Sequence, residues 1–124
     1  MKAATIGFTN KQGEANDDEF HLCPKFTKIF SILGKKWNGL IIGVLLENGP
    51  QRFKDFTKYI PACSDRVLVE RLKELEHEGL VQRQTFSNSS LIQYRLTERG
   101  DDLRTAIEAV HCWADKWLDD EDCY

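Results

Sequence analysis

The 124-residue sequence has no long apolar run and no feature of a secreted chain. No stretch approaches the roughly 18 to 20 apolar residues that a bilayer-spanning helix needs. The N-terminal segment also lacks the short apolar core of a signal peptide. The four cysteines, Cys23, Cys63, Cys112 and Cys123, are too few and too scattered for a disulfide-stapled scaffold. We therefore expect a cytoplasmic protein with reduced thiols and no membrane partner.

Motifs of catalysis and of cofactor binding are missing as well. The sequence has no Gly-rich loop that would cradle a phosphate, no paired carboxylates in a catalytic motif and no Ser-His-Asp pattern. Thiol catalysis would need one of the three histidines beside a cysteine in a cleft, and nothing in the sequence indicates a cleft. We expect that the protein is not an enzyme and that it uses no cofactor.

An excess of positive charge is also lacking, since 17 Lys and Arg against 20 Asp and Glu leave a net charge of -3. Duplex binding rests largely on the neutralisation of phosphates by Lys and Arg, so this average argues against a nucleic-acid partner. The acidic groups are concentrated at the two ends, however. Residues 1–22 carry -2 and residues 114–124 carry -4, whereas residues 23–113 carry +3. The middle of the chain can therefore still present a basic face.

Hydrophobic periodicity predicts four helices before residue 80. A first helix runs from Pro24 to Gly34, and a second ends at Gly49. A third, two-turn helix breaks before Pro61. The best-defined helix begins behind Ser64, a good N-cap residue, and ends at Gly79. The apolar positions, helix by helix, are Phe26, Ile29, Phe30 and Leu33; Trp37, Leu40, Ile41, Val44 and Leu45; Phe53, Phe56 and Ile60; and Leu68, Leu72 and Leu75.

After Gly79 the period changes towards two, which predicts strands over 80–86 and 91–96 joined by a turn. Thr97 then caps a last helix that reaches about Leu118. Residues 1–17 are polar and aperiodic and predict a flexible arm, and residues 119–124 form an acidic tail. The fold class is therefore mainly α with a two-stranded β-wing. Residues 18–118 would form a winged helix-turn-helix domain with N- and C-terminal dimerisation helices.

Six segments carry a resemblance to a known family. In order they are Cys23-Pro24, Gly34-Lys35-Lys36-Trp37, Gly49-Pro50-Gln51-Arg52-Phe53, Ile60-Pro61-Ala62-Cys63-Ser64, residues 68–81 and Tyr94-Arg95-Leu96-Thr97-Glu98-Arg99-Gly100. At these spacings the chain resembles, from about Cys23 to Trp117, the HxlR-type group of small bacterial winged-helix regulators, which is allied to the MarR type. The resemblance implies a homodimeric, DNA-binding transcriptional regulator without enzymatic activity. Members usually carry an apolar residue at the position of Cys63 and a Pro or basic residue near the wing tip, which here reads Ser87-Asn88-Ser89-Ser90.

The helix behind Ser64 carries charges opposite its leucines. Charges at this spacing often mean only a solvated face, but under the resemblance its first two turns enter a major groove. Arg66 is the strongest candidate for a base contact, because its fork matches guanine O6 and N7. Arg52 and Lys54 begin the supporting helix, where they could hold a phosphate. The predicted DNA-contact residues are Arg52, Lys54, Ser64, Asp65, Arg66, Val69, Glu70, Lys73, Arg83 and Arg95.

The last predicted helix has apolar residues at alternating spacings of four and three, which is typical of helix pairing. A monomeric core could bury part of this stripe, but two tryptophans at its far end are difficult to bury in a small domain. A twofold dimer would place two recognition helices roughly 34 to 36 Å apart and would require an inverted-repeat operator. We expect a repressor of this kind. The predicted dimer-interface residues are Phe20, Leu22, Phe26, Phe30, Leu103, Ile107, Val110, Trp113 and Trp117.

Cys23 precedes Pro24 at the start of a predicted helix. The thiol could be an ordinary buried apolar group, or the helix N-terminus could depress its pKa and favour the reactive thiolate. Several members of the HxlR-type group sense oxidants, quinones or aldehydes through the cysteine of this Cys-Pro pair, so the resemblance implies release by thiol-reactive or oxidative signals. Cys63, which lies immediately before the helix expected to read the groove, is the second candidate for redox sensing.

Two other functions remain open. A metal-responsive regulator would use imidazole and thiolate ligands from His21, Cys23, His111, Cys112 and Cys123. Their spacing matches no recognised metal motif, so we predict no metal site. A winged-helix adaptor that binds protein and has no DNA affinity would fit the net charge and the neutral wing tip. Salt dependence separates the adaptor from a DNA reader, because only the reader loses phosphate contacts as salt rises.

Overall fold

The chain divides into two compact units, with the boundary between Gly39 and Leu40. The structure is a computed structural model and describes residues 20–123. The arm predicted at residues 1–17 lies outside this range. The proposed domain limits at residues 18 and 118 remain predictions.

The first unit contains helix α1 (Pro24–Leu33). Pro24 occupies the first turn, where a missing N–H leaves no helix hydrogen bond unmade. The helix ends at Gly34, whose N–H donates to the Phe30 carbonyl and where an added Cβ would collide with that same oxygen. The next helix begins one residue later than the apolar pattern indicated. Trp37 lies outside it with a φ of 82°, a left-handed conformation that is unusual for a residue with a side chain.

The second unit is built on three helices that follow one another closely. Helix α2 (Asn38–Asn48), which contains the boundary between the units, is followed by α3 (Phe53–Tyr59) and α4 (Asp65–His77). Ser64 caps α4, since its Oγ accepts a hydrogen bond from the Val67 N–H at 3.2 Å. The prediction of this cap is confirmed. The core of the unit is apolar and consists of Ile41, Ile42, Leu45, Phe56, Ile60, Cys63, Leu68, Leu72, Leu75, Leu80 and Val81.

A hairpin follows α4. Strand β1 (Val81–Thr85) pairs antiparallel with β2 (Ile92–Leu96), in a register that joins Val81 to Leu96 and Thr85 to Ile92. Gln51 adds a one-residue bridge at the side of β2, where its N–H and carbonyl pair with those of Tyr94 at 3.0 and 2.8 Å. A bridge of one residue has no periodicity, so the sequence pattern did not indicate it. The bridge ties the entry to α3 to the wing.

The last predicted helix is interrupted, so the expectation of one helix from Thr97 to Leu118 was wrong. Thr97 does cap a helix, but this helix, α5 (Glu98–Asp101), has only four residues. Helix α6 (Arg104–Trp117) begins after a break. At the break the Leu103 N–H donates to the Gly100 carbonyl three residues back, which tightens the turn. The break coincides with a long-range contact, because Gly100 packs directly against the Leu80 carbonyl, where a Cβ would collide.

The observed architecture is mostly helical with a two-stranded antiparallel sheet, in the element order of a winged helix-turn-helix. The predicted fold class is confirmed in this respect. Over residues 20–123 no single helix is long and apolar enough to cross a membrane, and only α1 and α2 taken together would meet the length and composition required. In the acidic tail, residues 120–122 form one 3₁₀ turn, in which the Asp122 carboxylate accepts from the Asp119 N–H at 2.8 Å.

Candidate nucleic-acid interface

Helices α3 and α4 are joined by a short turn that fixes the direction of α4. The Ile60 N–H donates to the Phe56 carbonyl at the end of α3, and the Cys63 N–H donates to the Ile60 carbonyl within the turn. Leu68, Leu72 and Leu75 then bury one face of α4 completely. The opposite face of α4 consequently has a fixed orientation on a rigid support.

That opposite face brings together the residues of α4 that were predicted to contact DNA. Asp65, Arg66, Val69, Glu70 and Lys73 are all exposed and follow one another at helical spacing. Val69 is 40% exposed among charged neighbours, so it adds little to the core of the chain itself. The two acidic and two basic side chains leave this face without net charge. It is therefore suited to contacts with particular groups and supplies little general attraction to phosphate.

Arg66 and Glu70 lie one turn apart on this face. The Arg66 Nε is 3.9 Å from the Glu70 Oε2, and both side chains are well exposed. An exposed pair of this length contributes little to stability. A guanidinium has five N–H donors, so Arg66 keeps donors beyond this pair for an acceptor in a groove.

The start of α3 carries Arg52 and Lys54, which are both exposed. The Arg52 N–H donates to the Asp55 Oδ2 at 2.8 Å, so this backbone group is not available to a phosphate. A carboxylate at this helix start also disfavours an anion there. The side chains of Arg52 and Lys54, rather than the backbone of Arg52, are the groups that remain for a phosphate.

Arg83 and Arg95 lie on opposite faces of the hairpin. Arg83 is paired with Tyr94, and Arg95 with Gln82, and successive residues of a strand point to opposite sides. The Arg95 Nη1 donates to the Gln84 Oε1 at 2.9 Å. The structure therefore does not bring these two predicted phosphate contacts together on one surface.

Helix α6 has no buried residue. Val110, Trp113 and Trp117 recur at spacings of three and four and are 67%, 59% and 62% exposed. Leu103 and Ile107, the other predicted interface residues of this segment, are half-buried. Large apolar side chains in a continuous exposed stripe are typical of an interaction surface.

In the first unit, Phe20, Leu22 and Phe30 are more than half exposed. Phe26 is half-buried, and its ring meets that of Phe30 edge to face at a centroid distance of 4.8 Å. This N-terminal segment, taken by itself, thus exposes three of the four apolar residues that were predicted for the interface.

The model of the HxlR-like helix-turn-helix family matches residues 32–122, which include the α3–α4 pair and the hairpin. The chain belongs to this family. The resemblance inferred from the sequence is confirmed, and as a family member the chain is a helix-turn-helix transcriptional regulator.

Characterised relatives of this HxlR-like chain include a redox regulator and a protein solved with a quinone. The HTH-type transcriptional regulator YodB of Bacillus subtilis (strain 168) is 45% identical over 102 residues, which cover 82% of this chain and 90% of YodB. The structure of reduced YodB superposes with a TM-score of 0.70 over 79% of this chain and 96% of that one, at 45% identity. YodB has also been solved with quinone bound. The redox regulator HypR in its oxidised form is 28% identical, with a TM-score of 0.71 over 78% of this chain and 99% of HypR.

The cysteines of this HxlR-like chain differ in accessibility. Cys23 is the N-cap residue of α1 and is half-buried, and its carbonyl accepts from the Thr27 N–H at 3.0 Å. Cys63 is buried at 4% exposure, with its Sγ 3.7 Å from the Ser64 carbonyl oxygen. Reagents can therefore reach Cys23 more readily than Cys63. Between Phe20 and Cys123, no three His, Cys, Asp or Glu side chains come together as a metal site.

Two positions with exposed side chains were not assigned to a surface from the sequence. His77 is exposed four residues beyond Lys73 and so continues the same face of α4. The regular spacing could have identified it. Leu40 was assigned to the apolar stripe of α2, but it is 57% exposed. Because α2 is apolar on nearly every side, its sequence does not distinguish the inner face from the outer one.

Proposed function

We propose that this regulator is a homodimer that represses transcription by inserting α4 of each copy into an inverted-repeat operator. The observation that carries the proposal is the division of α4 into two faces. Leu68, Leu72 and Leu75 hold the helix on the core, and the opposite side presents Arg66, with its neighbours, to solvent. A major groove about 12 Å wide admits one helix in this orientation.

The exposed stripe on α6 supports the homodimer. Trp113 and Trp117 lie one turn apart, and tryptophans are over-represented among the residues that dominate binding energy at interfaces. A twofold axis would bring the same stripe of a second copy against them, as closed dimers require. Two copies of α4 related by that axis match an inverted repeat.

Because the exposed face of α4 has no net charge, we assign base discrimination and attraction to phosphate to different residues. Base discrimination falls to Arg66 and its neighbours on α4. Attraction to the phosphates falls to cations at other positions, with Arg52 and Lys54 as the nearest candidates in sequence. We therefore expect specific binding that is salt-sensitive, with few phosphate contacts per half-site.

Selection from a random duplex library, followed by fluorescence anisotropy across a salt series, tests DNA reading. We expect the reduced protein to prefer the selected operator over a scrambled duplex. Arg66→Ala should lose about 1 to 3 kcal/mol of discrimination at a guanine of the operator. Arg99→Ala, which removes an exposed arginine of α5, is the matched control and should bind as the wild type does. Absence of binding even at low salt would contradict the proposal and favour the protein-binding adaptor.

Repression has its own test. A purified transcription reaction on a promoter that overlaps the selected operator should yield less transcript when the reduced protein is added. Arg66→Ala should restore the transcript at the same protein concentration. An increase of transcript with the wild-type protein would show an activator instead.

We further propose that a quinone-type electrophile releases the operator by reaction at Cys23. The partial exposure of Cys23 and its position at the start of α1 support this choice over the buried Cys63. The quinone-bound structure of YodB and the description of HypR as a redox regulator also support it. In the reaction the Cys23 thiolate adds to a ring carbon and forms one S–C bond. The thiol proton and the ring proton end on the two oxygens, which yields a substituted hydroquinone without an added oxidant.

Mass spectrometry and operator release together test the sensor. Benzoquinone should add one ring to Cys23 and should lower operator binding by the wild type. The Cys23→Ser variant should keep the operator bound after treatment. The Cys112→Ser variant, which loses an exposed thiol, should release the operator as the wild type does. If Cys23→Ser and Cys63→Ser are both released normally, sensing by either thiol is excluded.

A further inference from the structure

The direction of α6 is weakly restrained by packing. None of its residues is buried, and within it only Ile107 and Ala114 are half-buried. The break at Asp102 and Leu103 also separates α6 from α5, so α5 does not extend into it as one rigid rod. Other contacts are therefore needed to determine the angle at which α6 follows α5 within the second unit.

Arg104, the first residue of α6, makes two such contacts with one guanidinium. Its Nη1 donates to the Leu46 carbonyl oxygen at 3.2 Å, and its Nη2 donates to the Asp101 Oδ1 at 2.9 Å. Leu46 lies in the last turn of α2, where carbonyl groups have no partner within the helix and where a cation is favourable. Asp101 is the last residue of α5. A planar fork held at both nitrogens restrains the start of α6 more strictly than a single point charge would.

We infer that Arg104 braces α6 against the end of α2 and thereby sets the spacing of the two recognition helices in the dimer. The inference rests on the proposed function, since it needs a dimer that pairs through α6 and reads two half-sites. Arg104 is a positioning residue here and does not contact DNA itself.

Because α6 is long, a small rotation at its first residue would displace its far end by a distance that matters for DNA binding. With 14 residues, α6 is about 21 Å long. A rotation of about 10° at its first residue would move its far end by about 3.6 Å, close to the 3.4 Å rise of one base-pair step. A brace that limits this rotation would restrict the dimer to one spacing of half-sites.

The test measures affinity for palindromes that share the selected half-site but differ in spacer length. With the wild type, a spacer one base pair too short or too long should weaken binding about tenfold, as one mismatched base pair does. Arg104→Ala should reduce this penalty to about threefold or less while binding a single half-site as the wild type does. Arg104→Lys should lie between the two, because an ammonium lacks the fork. Asp101→Asn, which keeps the arginine, should relax the spacing preference in part.

Arg99→Ala is the control for loss of a nearby positive charge, and sedimentation of each variant checks that the dimer persists. A spacing penalty in Arg104→Ala and Asp101→Asn equal to that of the wild type would overturn the brace alone. The same relaxation in Arg99→Ala would also overturn it, since the effect would then be one of charge. A wild type that binds DNA without any spacing preference would overturn the paired half-sites of the proposed function, and the brace with them.

Discussion

Helices α4 and α6 have the same sequence character but different surroundings. Both are amphipathic, with 13 and 14 residues. The apolar stripe of α4 is buried entirely by its own chain, through Leu68, Leu72 and Leu75. The stripe of α6, with Trp113 and Trp117, remains open.

The difference shows that a hydrophobic stripe identifies the face to be covered without identifying the chain that covers it. The apolar stripe of α4 is buried by residues of the second unit itself, so it contributes to the stability of a single copy. In α6 we propose that the cover comes from a second copy, so its stripe contributes to association. Substitutions in the two helices should therefore affect different measurable quantities.

The largest effect is expected in the stripe of α4. Leu72→Ala should lower the free energy of unfolding by about 2 to 5 kcal/mol, because it leaves a cavity in a fully buried site. Thermal and urea unfolding at several protein concentrations measure it, and the loss should not depend on concentration. Val110→Ala on α6 is the control and should cost much less at low concentration. Equal losses at both positions would remove the distinction between the two stripes.

A smaller effect of another kind is expected in the stripe of α6. Trp113→Ala should weaken dimerisation by about 2 kcal/mol, or about thirtyfold, as loss of an interface aromatic does. Sedimentation equilibrium gives the dissociation constant, and half-site binding by the monomer should persist. Trp37→Ala, which removes a tryptophan outside α6, is the control that tests whether the loss of any tryptophan weakens dimerisation. A Trp113→Ala protein that dimerises as the wild type does would place the interface elsewhere.

The helix starts offer a third comparison. The Ser64 Oγ caps α4, whereas Leu103, at the start of α6, makes no side-chain cap. Ser64→Ala should cost about 1 kcal/mol of folding free energy, and Ser64→Thr should recover most of it. Leu103→Ala loses no cap, so any destabilisation there should come from lost burial alone. Chemical denaturation distinguishes these cases, and an unchanged midpoint for Ser64→Ala would argue against the cap.

The smallest effects are expected at an exposed Arg–Glu ion pair and an exposed His–Asp pair with the same spacing. Arg66 and Glu70 on α4, and His111 and Asp115 on α6, lie 3.9 and 3.7 Å apart. Glu70→Gln and Asp115→Asn should each change stability by less than about 0.5 kcal/mol. A loss of several times this size on either helix would mean that its charged face is packed against something. Only Glu70→Gln should alter operator preference, because only α4 is expected to enter the groove.

Local signals in the sequence predicted most of the helices and both strands. Ser64 before α4, Gly49 after α2 and Pro61 after α3 have local effects on the backbone, so they can be interpreted without the rest of the chain. The break after Asp101 was missed, and it lies beside a contact that no local pattern shows, that of Gly100 with the Leu80 carbonyl, twenty positions earlier. Only the folded chain brings these two groups together.

The candidate site was predictable to a similar degree. Spacing alone placed Asp65, Arg66, Val69 and Glu70 on one face of a helix, as the structure has them. Spacing could not show that Arg83 and Arg95 lie on opposite faces of the hairpin. It also could not show that the Asp55 carboxylate accepts a hydrogen bond from the Arg52 N–H. These outcomes depend on the register of two strands and on a cap of the side-chain-to-backbone type.

The sequence by itself determined where the helices and strands lie, which helix faces are apolar, and the family to which the chain belongs. It could do so because periodicity, caps and turn residues act over a few positions. The tertiary structure decided that the stripe of α4 is buried while the stripe of α6 is open, and that one guanidinium joins α6 to α2 and α5. Burial and such long-range contacts depend on which distant segments meet, and no short stretch of sequence encodes that.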